Sequence, residues 1–297
     1  MDTIRHRPAV LVDGLRDLAP RYDLILCDVW GVLHNGLTAY AAAAEALMRF
    51  RRGGGQVVLV SNAPRPGASV ARQLDRLGIP RGAYDTIVTS GDITRKTVAE
   101  RIGEVVHHLG PPRDRPIFEG LPVRFGPIAE ASYVVCSGFD DDDTETVEDY
   151  RGELEAMRAR DLLMVCANPD LVVERGDRLV PCAGALALAY EELGGETLYA
   201  GKPHRPVYVE AVAQAARIAG AAPAPPHRIL AVGDAIRTDV AGAVRFGADA
   251  LLIARGIHAE ELRLHEGALM SGHVQDWLVA QEARPDAVMD VLVWGGE

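Results

Sequence analysis

The feature of this sequence that most constrains its fold is the alternation of short apolar runs with helix-like segments. Apolar runs at 24–27, 56–60 and 86–89 are separated by segments with helical periodicity at 40–50 and 66–77. A strand, helix, strand order joins parallel strands, because the crossover helix returns the chain to the same end of the sheet. The alternation therefore predicts an α/β fold, a Rossmann-like parallel sheet with helices on both faces.

The middle of the chain breaks this alternation, which then resumes after residue 201. We expect a core made from residues 1–90 and 200–297, with a separate α/β unit inserted at 91–199. The segments behind this division are strands at 133–136, 163–166, 228–232 and 250–253, a candidate last strand at 287–292, and helices at 144–160, 207–219 and 238–246.

The size and charge of the chain limit what it can bind. Its 297 residues, 48% of them hydrophobic, are enough for two domains of an ordinary globular protein. Lys and Arg number 31 against 42 Asp and Glu, and a net charge of -11 disfavours attraction to phosphate backbones or anionic lipid. We therefore expect neither a nucleic-acid nor a membrane partner.

Cysteine usage and the N-terminal residues bear on the compartment. Cys27, Cys136, Cys166 and Cys182 are scattered among apolar runs without a C-x-x-C pair, which favours buried free thiols over a metal site or disulfides. Residues 1–8 lack the apolar segment of a secretory leader, and no apolar run reaches about 18 residues. We therefore expect a cytoplasmic protein.

Polar residues follow three of the predicted strands at the points where they end. These are Asp28, Ser61 and Asp234. In an open parallel sheet, ligands bind in the crevice outside the carboxyl ends of the strands. Taken singly, an Asp or Ser at such a position is more often a helix cap or a turn residue. Their combination makes this edge of the sheet the candidate functional site.

The order of these motifs along the chain resembles the haloacid dehalogenase (HAD) superfamily. That superfamily has an Asp after the first strand, a Ser or Thr after the second, a distant Lys, and a Gly-Asp pair followed by another Asp. The matching segments here are 28–33 (DVWGVL), 61–62 (SN), 201–203 (GKP) and 233–239 (GDAIRTD). The class IIA branch, the NagD-like and 4-nitrophenyl phosphatase-like proteins, is further resembled by four stretches: 61–62 (SN), 89–90 (TS), 168–170 (NPD) and 201–203 (GKP).

The resemblance implies a Mg²⁺-dependent phosphatase that forms an aspartyl-phosphate on Asp28. It implies that Asp28, Asp234 and Asp239 hold the metal together with the backbone carbonyl of Trp30. A phosphomonoester dianion repels a carboxylate nucleophile, so this chemistry needs a cation, and Mg²⁺ prefers oxygen ligands. Taken alone, Asp239 can equally cap the helix that follows it.

The same resemblance assigns further positions. Ser61 and Lys202 become catalytic groups that bind the phosphoryl oxygens, with Lys202 at the start of a helix. Asn62, Asn168 and Asp170 become substrate contacts, although the composition of the last two equally predicts a plain turn. The family fold implies that 91–199 is a C2-type cap over the site. The expected substrate is a small phosphorylated metabolite, and the expected assembly includes a homodimer as one possibility.

Trp30 departs from the family pattern. Phosphatases of this superfamily usually carry a second Asp at this position, which protonates the leaving group, and an indole cannot transfer that proton. Two alternatives therefore stay open: a catalytically weak HAD-like protein that binds a phosphorylated ligand or partner, and a dehalogenase-like hydrolase. His34 is a candidate substitute for the proton donor, although a loop histidine is more often a plain hydrogen-bonding residue.

Two charged features have plain surface explanations. The run of four aspartates at 140–143 predicts a solvated loop and helix start, with a calcium site as the alternative. Arg65, close to the Ser61 motif, is expected to form a surface contact or an ion pair, with contact to substrate as the alternative.

Overall fold

The computed structural model describes residues 8–175, 178–264 and 269–296. The chain divides into two compact units. The first comprises Met1–Val60, Ala71–Ile87 and Tyr208–Glu297, and the second comprises Ser61–Val70 and Val88–Val207. The domain boundaries expected from the sequence stay a prediction.

The strands, in chain order, are β1 (Val10–Leu11), β2 (Leu24–Cys27), β3 (Gln56–Ser61), β4 (Thr86–Thr89), β5 (Val105–Leu109), β6 (Arg124–Phe125), β7 (Tyr133–Cys136), β8 (Leu163–Cys166), β9 (Val172–Arg175), β10 (Arg178–Pro181), β11 (Thr197–Tyr199), β12 (Ile229–Gly233), β13 (Asp249–Ile253) and β14 (Ala287–Met289). The α-helices are α1 (Ala41–Arg52), α2 (Gly67–Arg76), α3 (Ser90–Glu100), α4 (Arg151–Arg158), α5 (Ala183–Glu192), α6 (Arg205–Ala219), α7 (Ala241–Phe246) and α8 (Ser271–Val279).

A seven-stranded sheet with the order β1-β14-β13-β12-β2-β3-β4 forms the centre of the first unit. Strand β2 pairs in parallel with both β12 and β3, and Cys27 lies opposite Val232 in the register. Both β2 and β12 are fully buried, as expected for apolar strands that are covered on both faces. Their carboxyl ends therefore lie side by side, and the residues that follow the two strands lie close together at the same edge of the sheet.

The second unit contains its own five-stranded parallel sheet, with the order β11-β8-β7-β5-β6, and a β9–β10 hairpin. Its core packs the buried side chains of Tyr133, Phe139 and Tyr190 with neighbouring aliphatic residues. The predicted α/β fold with parallel sheets is thus confirmed. The predicted strands at 24–27, 86–89, 133–136 and 163–166 have the expected bounds.

Three helix predictions need correction. The helix expected over 144–160 is a 3₁₀ turn, Val147–Tyr150, followed by the shorter α4. The segment expected to be helical over 238–246 begins as a π-helical turn, Ile236–Val240, before α7. Lys202 does not begin a helix, because α6 starts at Arg205.

The cysteine and membrane expectations can also be compared with the structure. All four cysteines are free and buried, as predicted. Among the described residues, no helix is both long and apolar enough to cross a bilayer.

Candidate active site

Three buried carboxylates of the first unit converge at the carboxyl edge of its sheet. Asp28 directly follows β2, Asp234 directly follows β12, and Asp239 lies in the π-helical turn behind them. Their exposed fractions are 8%, 7% and 5%. One potential ligand oxygen from each lies within 4.8 Å of the others. The structure therefore brings together the three carboxylates that the resemblance assigned to a metal.

Asp234 is held by close approach of the backbone. Its Oδ2 accepts a hydrogen bond from the Ile257 N–H at 2.9 Å. A Cβ on Gly31 would lie 2.0 Å from this Oδ2, and one on Gly256 would lie 2.3 Å from it. Because real Cβ atoms essentially never come this close to another atom, a larger residue at either position would displace the Asp234 carboxylate. Gly31 also has a φ of 77°, a conformation that side chains with a Cβ rarely adopt.

Asp239 is fixed in the same manner. Its Oδ2 accepts a hydrogen bond from the Ala235 N–H at 3.2 Å. A Cβ on Gly233 would lie 2.0 Å from the Asp239 Cγ, so the end of β12 touches this carboxylate directly. The hydrogen bond runs back toward β12, four residues earlier in the chain, rather than onward into α7.

The donor set decides which group the three carboxylates can hold. Like charges this close and this buried are costly unless a cation compensates them. Every donor is a carboxylate oxygen, which hard divalent cations such as Mg²⁺ and Ca²⁺ prefer over nitrogen or sulfur ligands. The residues therefore fit a hard divalent cation.

Trp30 has a packing role in the loop that follows β2. Its ring meets the His34 ring edge-on, with 5.0 Å between centroids. A Cβ on Gly36 would lie 2.7 Å from the Trp30 Cζ2, so the indole lies directly on the backbone of that residue, whose φ is 88°. The indole thus stabilises the shape of the loop that carries Asp28.

His34 is a poor candidate for the missing proton donor. It is 1% exposed, and burial lowers the pKa of its imidazole to about 4. At neutral pH the ring is therefore uncharged, and its Nδ1 accepts a hydrogen bond from the Gly36 N–H at 2.9 Å. A neutral imidazole that accepts at Nδ1 keeps its proton on Nε2 and is a weak acid. The structure thus argues against this substitute.

The second unit contains the other predicted site residues. Lys202 is 3% exposed and follows β11, at the edge where the parallel strands of this unit end. The Asn62 side chain hydrogen-bonds both the backbone of Lys202 and the carboxylate of Asp170. The Asp170 N–H donates to the Asn168 Oδ1 at 3.1 Å, and the Ser61 Oγ accepts from the Ala63 N–H at 3.2 Å.

The two charged surface features have ion-pair partners. Asp142 pairs with Arg113 and Arg175, within the acidic loop expected to be solvated. Arg65 Nε lies 3.9 Å from the Asp114 Oδ1, which supports the ion-pair interpretation of that arginine. Asp114 itself is buried and was not singled out from the sequence.

Sequence reasoning also missed the glycines that surround the carboxylates. Gly31, Gly233 and Gly256 each touch Asp234 or Asp239. The first two lie inside the motifs and carry a usable signal, because a glycine beside a strand end indicates a close backbone approach. Gly256 belongs to a loop after β13, and only the folded chain brings it to Asp234.

Comparison with known proteins identifies the family. A family model for haloacid dehalogenase-like hydrolases matches residues 25–123, and a HAD-hydrolase-like model matches residues 199–293. The crystal structure of a haloacid dehalogenase-like hydrolase from Brucella suis 1330 is 47% identical to this chain, with a TM-score of 0.84. The match covers 95% of this chain and 100% of the Brucella chain. This chain belongs to the haloacid dehalogenase-like hydrolases.

Two further relatives are named for phosphatase activity. D-glycerol 3-phosphate phosphatase of Mycobacterium tuberculosis (strain ATCC 25618 / H37Rv) is 26% identical over 257 residues, 82% of this chain and 66% of that protein. A 4-nitrophenylphosphatase from Thermotoga maritima shares the fold, with a TM-score of 0.69 at 24% identity over 93% of this chain and 97% of its own. The expectation of a hydrolase of this family is thereby confirmed.

Proposed function

We propose that this hydrolase is a Mg²⁺-dependent phosphatase that cleaves a small phosphorylated metabolite through an aspartyl-phosphate on Asp28. The observation that carries the proposal is the group formed by Asp28, Asp234 and Asp239, three buried carboxylates with ligand oxygens within 4.8 Å of one another. A carboxylate at the end of a central strand, beside two others suited to a divalent cation, is the arrangement that phosphoryl transfer to Asp28 requires.

In this mechanism a carboxylate oxygen of Asp28 attacks phosphorus, and the bond from phosphorus to the ester oxygen breaks. Water then attacks the phosphorus of the aspartyl-phosphate, releasing inorganic phosphate and regenerating the Asp28 carboxylate. Asp28, Asp234, Asp239 and the Trp30 carbonyl are the groups that would hold Mg²⁺. When bound, the cation lowers the repulsion between the carboxylate and the phosphoryl oxygens.

Ser61 and Lys202 complete the set of catalytic groups that we propose. A lysine ammonium balances charge on the phosphoryl oxygens, and a serine hydroxyl donates a hydrogen bond to them. The burial of Lys202, at 3% exposure, supports this role, because a lysine without a function is normally solvated. In this proposal residues 91–199 are the cap that excludes water during the reaction.

In this proposal the leaving group receives no proton from Trp30 or His34. Trp30 has no acidic proton, and His34 is neutral at physiological pH. The proposed enzyme therefore favours phosphate esters whose leaving oxygen is already a good leaving group, or draws the proton from water. A dehalogenase needs no metal, so three converging carboxylates favour phosphoryl chemistry over that alternative.

The assay is turnover of 4-nitrophenyl phosphate with Mg²⁺ and with a chelator. We expect turnover that depends on Mg²⁺, a phosphorylated Asp28 detected by mass spectrometry after rapid acid quench, and loss of both in Asp28→Asn. Asp276→Asn, which neutralises an exposed carboxylate on α8 of the same unit, is the matched control. Tight binding of phosphate esters without any turnover would instead support the catalytically weak binding protein.

The natural substrate, the assembly and the compartment are part of the same proposal. A panel of phosphorylated metabolites that includes polyol phosphates tests the substrate class, and sedimentation tests the homodimer. The four buried thiols suit the reducing cytoplasm that we propose for this protein.

A further inference from the structure

The side chain of Asn62 hydrogen-bonds both backbone polar groups of Lys202. Its Oδ1 accepts the Lys202 N–H at 2.8 Å, and its Nδ2 donates to the Lys202 carbonyl at 3.2 Å. Two hydrogen bonds from one amide fix both the position and the rotation of the backbone that they hold. The direction in which the Lys202 side chain leaves that backbone is therefore set by Asn62.

Asp170 reinforces the orientation of the Asn62 amide with a third hydrogen bond. The second Nδ2 hydrogen bond goes to the Asp170 Oδ1 at 2.9 Å. An ionised carboxylate only accepts, and the Lys202 N–H only donates, so the two partners together require nitrogen toward Asp170 and oxygen toward the Lys202 N–H. A flipped amide would place two donors against each other at Lys202.

Asp170 is itself held rigidly. Its N–H donates to the Asn168 Oδ1, and its carbonyl accepts the Gly184 N–H at 3.1 Å, in the first turn of α5. A Cβ on Gly184 would lie 2.4 Å from this carbonyl oxygen, so the helix packs directly on the Asp170 backbone. The carboxylate therefore projects from a fixed support.

The space around the Asn62 amide is closed on the other side as well. A Cβ on Gly201 would lie 2.3 Å from the Asn62 Oδ1 and 3.0 Å from the Ser90 Oγ. Any side chain at 201 would displace the amide. The glycine that precedes Lys202 in the chain thus makes room for the amide that positions it.

From these contacts we propose that Asp170, acting through Asn62, is a positioning residue for Lys202 rather than a contact to substrate. The inference rests on the proposed role of Lys202 in binding the phosphoryl group. Loss of the Asp170 carboxylate removes one of the three hydrogen bonds that hold the Asn62 amide, and Lys202 then holds its ammonium less firmly where charge develops in the transition state. The effect falls on kcat more than on KM, because the transition state demands the more exact placement.

The test compares Asp170→Ala, Asp170→Asn, Lys202→Ala and the Asp170→Ala/Lys202→Ala double variant, with kcat and KM for 4-nitrophenyl phosphate in saturating Mg²⁺. The Asp170→Asn side chain keeps an oxygen that can accept a hydrogen bond from the Asn62 Nδ2. It has no negative charge, so it can neither bind a cation as a carboxylate does nor act as a base toward a substrate hydroxyl. Asp161→Asn, an exposed carboxylate of the same unit, is the matched control for loss of charge. Thermal unfolding verifies that each variant is folded, and Asp170→Ser replaces the alanine variant if that one does not fold.

We expect Asp170→Ala to lower kcat by roughly tenfold to a hundredfold, the effect of losing a hydrogen bond to a charged group. Asp170→Asn should recover to within about threefold of the parent enzyme. The double variant should be no slower than Lys202→Ala alone, because Asp170 acts only through that lysine.

Several results would overturn the proposal. An equal loss of kcat in Asp170→Asn and Asp170→Ala would mean that the negative charge of Asp170 acts directly on the reacting groups. A double variant whose loss of kcat is the product of the two single losses would mean the same. Normal kcat in Asp170→Ala beside an impaired Lys202→Ala would reject the positioning role alone. Normal kcat in Lys202→Ala would reject the proposed role of Lys202 and the positioning role with it.

Discussion

Replacing Asp239 by asparagine removes one of three converging negative charges without changing the shape of the side chain. The side-chain oxygen of the new asparagine can still accept the Ala235 N–H, so the local backbone keeps its hydrogen bond. In the absence of divalent metal, the change relieves repulsion of Asp239 by Asp28 and Asp234. With Mg²⁺ present, it removes a ligand. We therefore expect the variant to be more stable than the parent protein in EDTA and to gain less stability from Mg²⁺.

The magnitude follows from the 4.8 Å limit on the separation of the ligand oxygens. Two unit charges at that distance repel by about 3.5 kcal/mol at an effective dielectric constant of about 20, and by about 0.9 kcal/mol in water. Each kcal/mol corresponds to roughly 2 to 4 °C in Tm for a chain of about this size. Mg²⁺ at a hundredfold excess over Kd adds about 2.7 kcal/mol to a protein that binds it only when folded.

The assay is thermal unfolding of Asp239→Asn and the parent protein, each in EDTA and in a titration of MgCl₂. Asp276→Asn, which removes a solvated charge, should shift neither curve. A variant that is less stable in EDTA would show that Asp239 is neutralised by the protein itself and not by an ion. An unchanged Mg²⁺-induced shift would show that Asp239 is not a ligand, and either result refutes the reasoning.

The remaining predictions concern three other residues. Lys202→Ala should lower kcat for 4-nitrophenyl phosphate by roughly a hundredfold or more, the usual effect of losing one group that stabilises transition-state charge, whereas a surface lysine would leave steady-state kinetics unchanged. Burial raises the pKa of Asp114 to about 6, so between about pH 4 and 6 the folded state binds the extra proton and stability falls as pH rises. Asp114→Asn should therefore increase the free energy of unfolding at neutral pH, by an amount on the order of 3 kcal/mol, and so raise Tm. Near pH 4 the melting curves of the variant and the parent protein should differ little. Trp30→Asp should lower Tm, because the ring packs on Gly36, and should raise turnover of alkyl phosphates more than that of 4-nitrophenyl phosphate; equal changes for both substrates would show that no proton donor was missing.

The sequence predicts the central strands well because their burial on both faces leaves uninterrupted apolar runs. The run 24–27 and the strand observed there have the same bounds, since Asp28 ends the apolar stretch abruptly. Elements without such contrast were missed. Helix α5 is apolar along most of its length (AGALALAYEE), so it has no period from which to recognise it. Strand β5 (VVHHL) contains two polar residues and gives no continuous run.

The candidate site also has one part that the sequence predicts and another that it does not. The resemblance in motif order predicted the three carboxylates, and the register of β2 with β12 explains why Asp28 and Asp234, which follow those strands, lie close together. The hydrogen bonds of the Asn62 side chain could not be predicted, since its partners Lys202 and Asp170 are 140 and 108 positions away in the chain. Hydrogen bonds over such separations depend on how the loops of the folded unit converge.

The way in which the carboxylates are held bears on the charge that the site can present. Asp234 and Asp239 accept hydrogen bonds from the backbone N–H groups of Ile257 and Ala235, which carry no net charge. Glycines at the points of contact let the backbone come this close, where a side chain would collide with the carboxylate oxygens. An arginine in the same place would fix the carboxylates equally well but would also neutralise them. The backbone amides that orient these two side chains add no positive charge of their own, and contacts this close need glycine rather than a larger residue at the points of approach.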